Sequence, residues 1–305
     1  MSEDRPTISI LLLCWNHAAF LDQCIGSLAA QTDRSFEICF LDNGSSDGSL
    51  EQAVGLFEHH ALSARIVDSP HGASIPVNLN RLLATSSGEI VAPLSTDDWY
   101  DPAYVARLRL AALEDSDAGW CSCSGWLYFD SEQRSEPVDD TQFITDKPVE
   151  DVILEGGNPH FFVGCAYRRT ALDTVGGWDE YQLIEDRDLF LRLAAAHRHH
   201  RIDARLVHYR RSRQNVSANP QFMVAGWEKF WRKHGERMPL RGKPYLGWVY
   251  RSGAATAVDR ADYRLAASLL WRALKIAPTE PLLYRTLLYL LRSVAARLVR
   301  KSNSS

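Results

Sequence analysis

Three short stretches carry side chains whose type and spacing could do chemistry. The first is "STDD", Ser95 to Asp98, where two carboxylates stand side by side. Acids placed so can end a strand and cap a helix, because Ser, Thr and Asp favour turns and N-caps. They can equally hold a hard, oxygen-liganded cation such as magnesium or manganese against a diphosphate. The second stretch is "DNGSSDGS", Asp42 to Ser49, a polar loop that follows an apolar run. The third is "EDRD", Glu185 to Asp188, whose acids could simply complement the macrodipole of a helix start. Choosing between these readings depends on where the chain places the three stretches.

Residues 7–14, "TISILLLC", form a near-continuous apolar run with β-branched members, the pattern of a strand buried on both faces. "AAFLDQCIGSLAAQ" follows with Phe20, Leu21, Cys24, Ile25 and Leu28 at helical spacing. Further strands are expected at 36–42, 64–69 and 88–94, with helices at 50–60 and 77–86. That alternation predicts an α/β fold with a mostly parallel sheet and helices on both faces. Ligands in such sheets bind beyond the carboxyl ends of the strands. The polar segments 14–17, 42–49, 69–74 and 95–98 each end a predicted strand, so all four are expected on one sheet edge. Asp101 and Pro102 are expected to cap and open a helix over 101–113. Strands are expected at 118–130, 161–169 and 200–210, a polar loop or short hairpin at 131–150, and a helix at 185–197.

Composition excludes several classes. Of 305 residues, 46% are hydrophobic and 24% charged, enough for a substantial core. A net charge of -4 argues against a nucleic-acid binder. The six cysteines make no C-x-x-C pair and several lie in apolar runs, as buried thiols do in a reducing compartment. No stretch approaches the roughly 20 apolar residues of a spanning helix. A cytoplasmic protein is expected. His197, His199 and His200 lack the i, i+4 spacing of a helical metal pair.

Taken together, "ISILLLCWNHAAFLDQCIGSLAAQT", "FEICFLDNGSSDGS", "GEIVAPLSTDDWYDP", "GGWDE" and "EDRDLFLRL" stand in the order found in the family-2 glycosyltransferases, and the chain resembles that family over about residues 7–217. The resemblance implies a GT-A-type nucleotide-diphospho-sugar transferase fold over residues 1–220, with a helical region over 221–305. It implies an inverting transfer from a nucleotide-diphosphate sugar to a hydroxyl of a glycan or lipid-linked acceptor, in cell-surface polysaccharide or glycan synthesis. Trp15 takes the place of the aromatic beside the base, where a flat ring can stack. Asp42 and Asn43 match the acidic pair that ends the second strand, and Asn43 alters the group offered to the base. Ser45 and Asp47 are expected to cap the next helix. Asp97 is similar to the ribose contact and Asp98 to the ligand of a Mn2+ or Mg2+ ion, with Ser95 where an acid is common. Asp186 of the Glu185–Asp186 pair matches the general base. His160 and Trp178, with Glu185, fall on the acceptor side or in support. Arg210, Arg211 and Arg213 lie where a basic loop could touch diphosphate or remain solvated.

Two other classes make different demands on the sequence. A nucleotidyltransferase on a related sheet would want a Gly-rich, basic loop after the first strand, and "CWNHAAF" has neither Gly nor Lys. A non-catalytic nucleotide-sugar-binding adaptor would use the C-terminal helices as its partner surface. There Ala254, Tyr263, Ala266, Leu270, Ala273 and Pro278 fall at the spacing of one tetratricopeptide unit. The last helix carries a stripe of Leu283, Leu287, Leu290, Val294 and Leu298 flanked by Arg285, Arg292, Arg297, Arg300 and Lys301. That pattern fits either a packed helix or one lying on an anionic membrane surface.

Overall fold

The computed structural model describes residues 7–69, 71–139, 147–212, 215–238, 242–280 and 282–302. The elements run β1 (Ile8–Cys14), α1 (Ala18–Ala29), β2 (Glu37–Asp42), α2 (Ser49–His59), β3 (Ala64–Val67), α3 (Ile75–Thr85), β4 (Ile90–Ser95), β5 (Trp99–Tyr100), α4 (Tyr104–Glu114), β6 (Ala118–Phe129), β7 (Arg134–Pro137), α5 (Val149–Leu154), β8 (Cys165–Arg168), α6 (Arg169–Val175), α7 (Glu185–Ala194), β9 (Arg198–Arg211), α8 (Pro220–His234), α9 (Gly242–Asp259), α10 (Tyr263–Ile276) and α11 (Leu283–Ser302). They form two compact units. The first comprises Met1–Ile153, Gly157–Glu180 and Glu185–Ser212; the second comprises Leu154–Gly156, Tyr181–Ile184 and Arg213–Ser305.

The first unit is built on one sheet in the order β3-β2-β1-β4-β8-β6-β9-β5, with β7 paired to β6. β1 has parallel neighbours on both sides, which is why its apolar run is continuous: Ile8, Ile10, Leu11 and Leu12 are all 1% exposed or less. The register sets Cys14 opposite Asp42 and Leu13 opposite Ser95, so the loops after β1, β2 and β4 leave the sheet at one level. β8 is antiparallel to both β4 and β6, while β6 and β9 are parallel. All six cysteines are buried and free.

Local signals place most elements to within a few residues; β5, α5 and α6 were not expected, and three expected elements differ. α4 begins at Tyr104, not at Pro102, and its N-cap is Ala103. Asp101 still turns the chain there, accepting a 2.9 Å bond from the Ala103 N–H. The expected strand at 161–169 is a 3₁₀ turn over Phe162–Gly164 followed by the short β8, because Gly164 closes on the Cys123 backbone where a Cβ would fall 2.5 Å from its carbonyl oxygen. The 131–150 stretch contributes β7 as a hairpin partner of β6, and its residues 140–146 lie outside the described residues.

The second unit is helical. α9 and α10 pack through small residues, with Ala254, Ala257, Ala266 and Ala273 fully buried, as a helix-turn-helix pair requires. On α11, Leu283 and Leu290 are buried, whereas Leu287 and Leu298 of the expected stripe are exposed beside Tyr284, Leu288 and Leu291. No helix among the described residues is long and apolar enough to cross a membrane.

The pairing of β6 with β9 carries an irregularity at Gly125, opposite Val207. A Cβ there would lie 2.2 Å from the Val207 carbonyl oxygen and 2.7 Å from the Phe161 ring. Gly125→Ala is expected to destabilise the fold by about 2 kcal/mol, in the range of overpacking a filled site. Urea denaturation measures it, and an unchanged midpoint would show that the two strands can separate there at no cost.

Candidate active site

The loops after β1 and β2 are laced together by side chains that bond to backbone. Asp42 turns its carboxylate back on its own loop, with Oδ2 accepting from the Gly44 and Ser45 N–H groups at 3.0 and 2.8 Å and Oδ1 accepting from the Ser45 hydroxyl at 2.5 Å. Ser45 in turn accepts from the Asn16 N–H at 2.7 Å, and Asn16 accepts from the Ser46 N–H at 2.8 Å. Asn16 sits at φ 55, a left-handed position that Asn tolerates well. Ser45 and Asp47 do not occupy the N-cap of α2, which is Gly48 at φ 84. Asp47 instead joins two helix starts, accepting from the Ser49 N–H at 3.1 Å and the Ala18 N–H at 3.0 Å. Trp15 stands on this braced loop with 53% of its surface exposed. Asn43 donates to the Ala73 carbonyl at 3.0 Å and accepts from the Ser69 hydroxyl at 3.3 Å, which ties the loop after β3 into the same edge.

Asp97 and Asp98 belong to a turn between β4 and β5, closed by the Asp98 N–H on the Ser95 carbonyl at 3.0 Å. Both are buried, at 8% and 3% exposure. The Arg210 N–H donates to Asp98 Oδ1 at 2.8 Å, and the Arg210 Nε donates to the Asp97 carbonyl at 2.9 Å. Arg210 is therefore not part of a solvated loop: it lies in β9, 4% exposed, with Arg211 ending the strand and Arg213 outside the described residues. Its guanidinium donates to Asp130 at 2.5 Å and to Gln23 Oε1, and lies 4.5, 4.9 and 5.1 Å from the ring centres of Phe20, Tyr128 and Trp99. Sequence reasoning gave Arg210 no more weight than its neighbours. Its one local signal was strand alternation with His208, which stacks on Trp99 at 4.8 Å.

Burial raises the Asp98 carboxyl well above the usual range, and the like charge of Asp97 adds to this. His17 approaches Asp97 Oδ1 at 4.0 Å while its Nδ1 bonds the Thr96 hydroxyl at 2.9 Å. Two adjacent buried carboxyl groups fit a hard divalent cation. Among the described residues no group of three His, Cys, Asp or Glu side chains could hold a metal alone. The set therefore suits an ion whose remaining ligands come from diphosphate and water.

Glu185 and Asp186 open α7 and are half-buried. Burial, and then the neighbouring Asp186 charge, push the Glu185 carboxyl up to about 8. Burial raises Asp186 as well, opposed by the Arg187 charge and by the Arg187 N–H that its Oδ1 accepts at 2.8 Å. The third acid, Asp188, is structural: it is fully buried and paired to Arg192 at 2.7 Å, while Arg192 also donates to the Val175 and Gly177 carbonyls. Because β8 is antiparallel to β4, with Arg168 opposite Ile90, Cys165 lies toward the edge where β4 ends. Burial raises the Cys165 thiol, and Asp186 is close enough to add to the effect of Cys123 and Cys121, which sets the start of α7 toward that same edge.

Trp178 is buried, edge-on to Tyr167 at 5.8 Å. Its N–H donates to Asn80 Oδ1 at 2.9 Å and its carbonyl accepts from Asn80 Nδ2 at 2.8 Å, so it supports the Gly-Gly-Trp turn. His160 is buried in the same unit, stacked on His199 at 3.9 Å. His199 pairs with Ser122 and His200 faces Asp115, so the three histidines of 197–200 do not converge.

The structure resembles a mannosyltransferase from Pyrobaculum calidifontis solved with GDP-Man and Mn2+, with TM-score 0.62 at 19% identity over 96% of this chain and 87% of that one. It also resembles S. aureus TarS 1-349 solved in complex with UDP-GlcNAc, with TM-score 0.59 at 14% identity over 90% of this chain and 75% of that one. Both likenesses show the GT-A fold. In sequence, an uncharacterized glycosyltransferase of Nostoc sp. is 30% identical over 55% of this chain and 52% of its own length. Chondroitin synthase of Pasteurella multocida is 28% identical over 36% of this chain and 11% of its own. The chain thus spans about half the length of these sequence relatives, or less. The Glycosyl transferase family 2 model matches residues 9–176, more than half of the chain, in the unit that holds the exposed Trp15, the braced loops and the buried acidic turn; the chain belongs to that family.

Proposed function

We propose that this chain moves a sugar from a nucleotide-diphosphate donor to an acceptor hydroxyl, with inversion, and that the first unit does so. The observation that carries the reading is the convergence on one sheet edge of an exposed Trp15, the loops of Asn43 and Asn16, and the buried Asp97–Asp98 turn. Trp15 offers a flat face to a base, which stacking favours. Asp97 approaches the ribose, and Asp98 with the diphosphate would hold Mn2+ or Mg2+. When bound, the cation stabilises charge growing on the leaving diphosphate. UDP and GDP sugars are the donor classes to try first, since neighbours of the same fold are solved with UDP-GlcNAc and GDP-Man. The acceptor is a glycan or lipid-linked glycan of cell-surface synthesis, as the family resemblance implies.

Asp186 is the general base. Burial raises both carboxyls of the pair, Glu185 to about 8, while the Arg187 charge and N–H beside Asp186 favour its ionised, proton-accepting form. Asp186→Asn keeps the size and removes the proton acceptor. Transfer should fall by roughly 10² to 10⁴-fold while UDP or GDP binding in Mn2+ stays within a factor of two or so. Normal transfer in the variant would return Asp186 to a structural role at the helix start.

The raised Glu185 carboxyl has a stability consequence. The folded state holds a proton that the unfolded carboxyl releases near its ordinary value of 4.5. Stability from this group is therefore present at low pH and declines as pH rises from that value toward 8. Glu185→Gln should flatten this decline; urea midpoints at acid, neutral and mildly alkaline pH would reveal an unchanged slope if Glu185 titrates normally.

The second unit is proposed to touch a membrane surface. α11 exposes Tyr284, Leu288, Leu291 and Leu298 together with Arg285 and Arg292, an apolar and basic surface suited to anionic lipid. Deleting 281–305 should weaken sedimentation with phosphatidylglycerol vesicles at low salt more than it weakens transfer to a soluble acceptor. Full-length protein that ignores such vesicles would end the membrane assignment.

A further inference from the structure

Two short segments of the second unit precede α8–α11 in the chain, and each runs directly into residues around Asp186. Leu154–Gly156 is followed by Gly157, and Tyr181–Ile184 is followed by Glu185 and Asp186. Whatever fixes these two segments is therefore tied to the proposed base by the chain itself.

The later segment rests on α8. It has no helix or strand of its own. Gly226 approaches it so closely that a Cβ there would lie 3.0 Å from Ile184 Cγ2 and 3.4 Å from Leu183 Cβ. Three residues on, the Lys229 ammonium lies over the Tyr181 ring at 4.4 Å. Residues three apart share a helix face, so Gly226 and Lys229 offer the segment one surface. Gln182 is fully buried, yet its amide finds no hydrogen-bond partner among the described residues. A buried unmet amide is costly, and packing against α8 must offset that cost.

The earlier segment rests on α9. Gly156 stands at φ 86, and a Cβ there would lie 3.0 Å from Tyr245 Cε2. The next residues hold Arg187: its Nη1 donates to the Gly157 carbonyl at 2.7 Å and its Nη2 donates to Asn158 Oδ1. The Arg187 N–H is the group that Asp186 Oδ1 accepts at 2.8 Å. Tyr245 packs edge-on against Trp227 at 5.4 Å, and Trp227 is the neighbour of Gly226. Phe230 and Trp248 complete the cluster, so both supports are parts of one aromatic core.

We propose that α8 and α9 form the seat that positions the Glu185–Asp186 pair, with Gly226 and Tyr245 as its positioning residues. Neither residue touches a reacting atom. Gly226 acts through Ile184 on the start of α7, and Tyr245 acts through Gly156 on the carbonyl that holds Arg187. That the seat serves a catalytic base rests on the transferase reading above; that it orders the start of α7 does not.

Gly226→Ala tests this. Alanine favours the α8 helix, so the fold should persist, while the new Cβ displaces Ile184 by a few tenths of an ångström. A misplacement of about 1 Å can cost about 10²-fold in rate. The kcat for nucleotide release from UDP-GlcNAc or GDP-Man in Mn2+ should therefore fall about three- to tenfold, with the donor KM within about twofold. Adding Ile184→Leu removes the crowded Cγ2 at constant volume and should restore most of the rate. Deuterium exchange on the full chain needs no substrate. Peptides over 181–193 should exchange severalfold faster in Gly226→Ala and slow again in the double variant, while 42–49 and 95–98 keep their rates. Unchanged exchange over 181–193 overturns the seat, and so does an unchanged kcat beside faster exchange. In an Asp186→Asn background Gly226→Ala should cost little more, because both changes act on one group. An equal fall in both backgrounds overturns the positioning of Asp186. Full turnover in Asp186→Asn alone would remove the base reading instead, and the exchange rates would still decide whether the helices order the start of α7.

Discussion

A guanidinium remains charged wherever it is placed, and burying one costs several kcal/mol unless its surroundings compensate. The burial of Arg210 is therefore the constraint around which the acidic turn is organised. Its compensation comes from the Asp130 carboxylate, the Gln23 amide, the Asp97 carbonyl and three aromatic faces. Those partners belong to α1, to the turn after β4 with the β5 it leads into, and to β6 and the residue that follows it. One side chain thus spaces three segments that are far apart in sequence. The same residue's N–H holds Asp98, so β9 sets the orientation of that carboxylate.

The sheet edge formed by the loops after β1, β2 and β3 is arranged on the same economy. Asp42, Ser45, Asn16, Asp47 and Asn43 spend their polar atoms on neighbouring loops, and Trp15 is the large group left facing solvent. A loop ordered in this way loses little conformational freedom on binding, which is the physical meaning of preorganisation. It also gives Asp42, expected to meet the nucleotide, a second task in shaping its own loop.

Much of the fold was legible because it is written locally. Apolar runs with β-branched residues gave β1, β2 and β4, and the polar loops at their ends do gather on one sheet edge. Glu185 and Asp186 were legible as a helix start. Arg210 was not, since "HYRRSRQ" reads as a basic loop until β9 is paired with β6 and its N–H is seen to reach an acid 112 positions away. The start of α4 was misplaced because a cap signal fixes where the chain turns more firmly than where the first helical bond closes. Gln182 gave no sign of its unmet amide, because burial without a partner is a property of packing and not of composition.

The two hydrogen bonds between the Asn80 amide and the Trp178 peptide have a consequence for modularity. The amide copies the donor and acceptor of a backbone strand, and it joins α3 to a turn 98 positions later. Gly177 leaves room for it, since a Cβ there would lie 2.7 Å from Asn80 Oδ1. Arg192 then fastens that turn to the helix that begins with Glu185 and Asp186. The first ninety or so residues and the segment that carries Glu185 and Asp186 are accordingly not interchangeable parts. A hybrid enzyme that exchanged the first ninety or so residues for those of a relative would inherit the right sheet, yet it would unfasten the carboxylate pair unless position 80 again carried a primary amide.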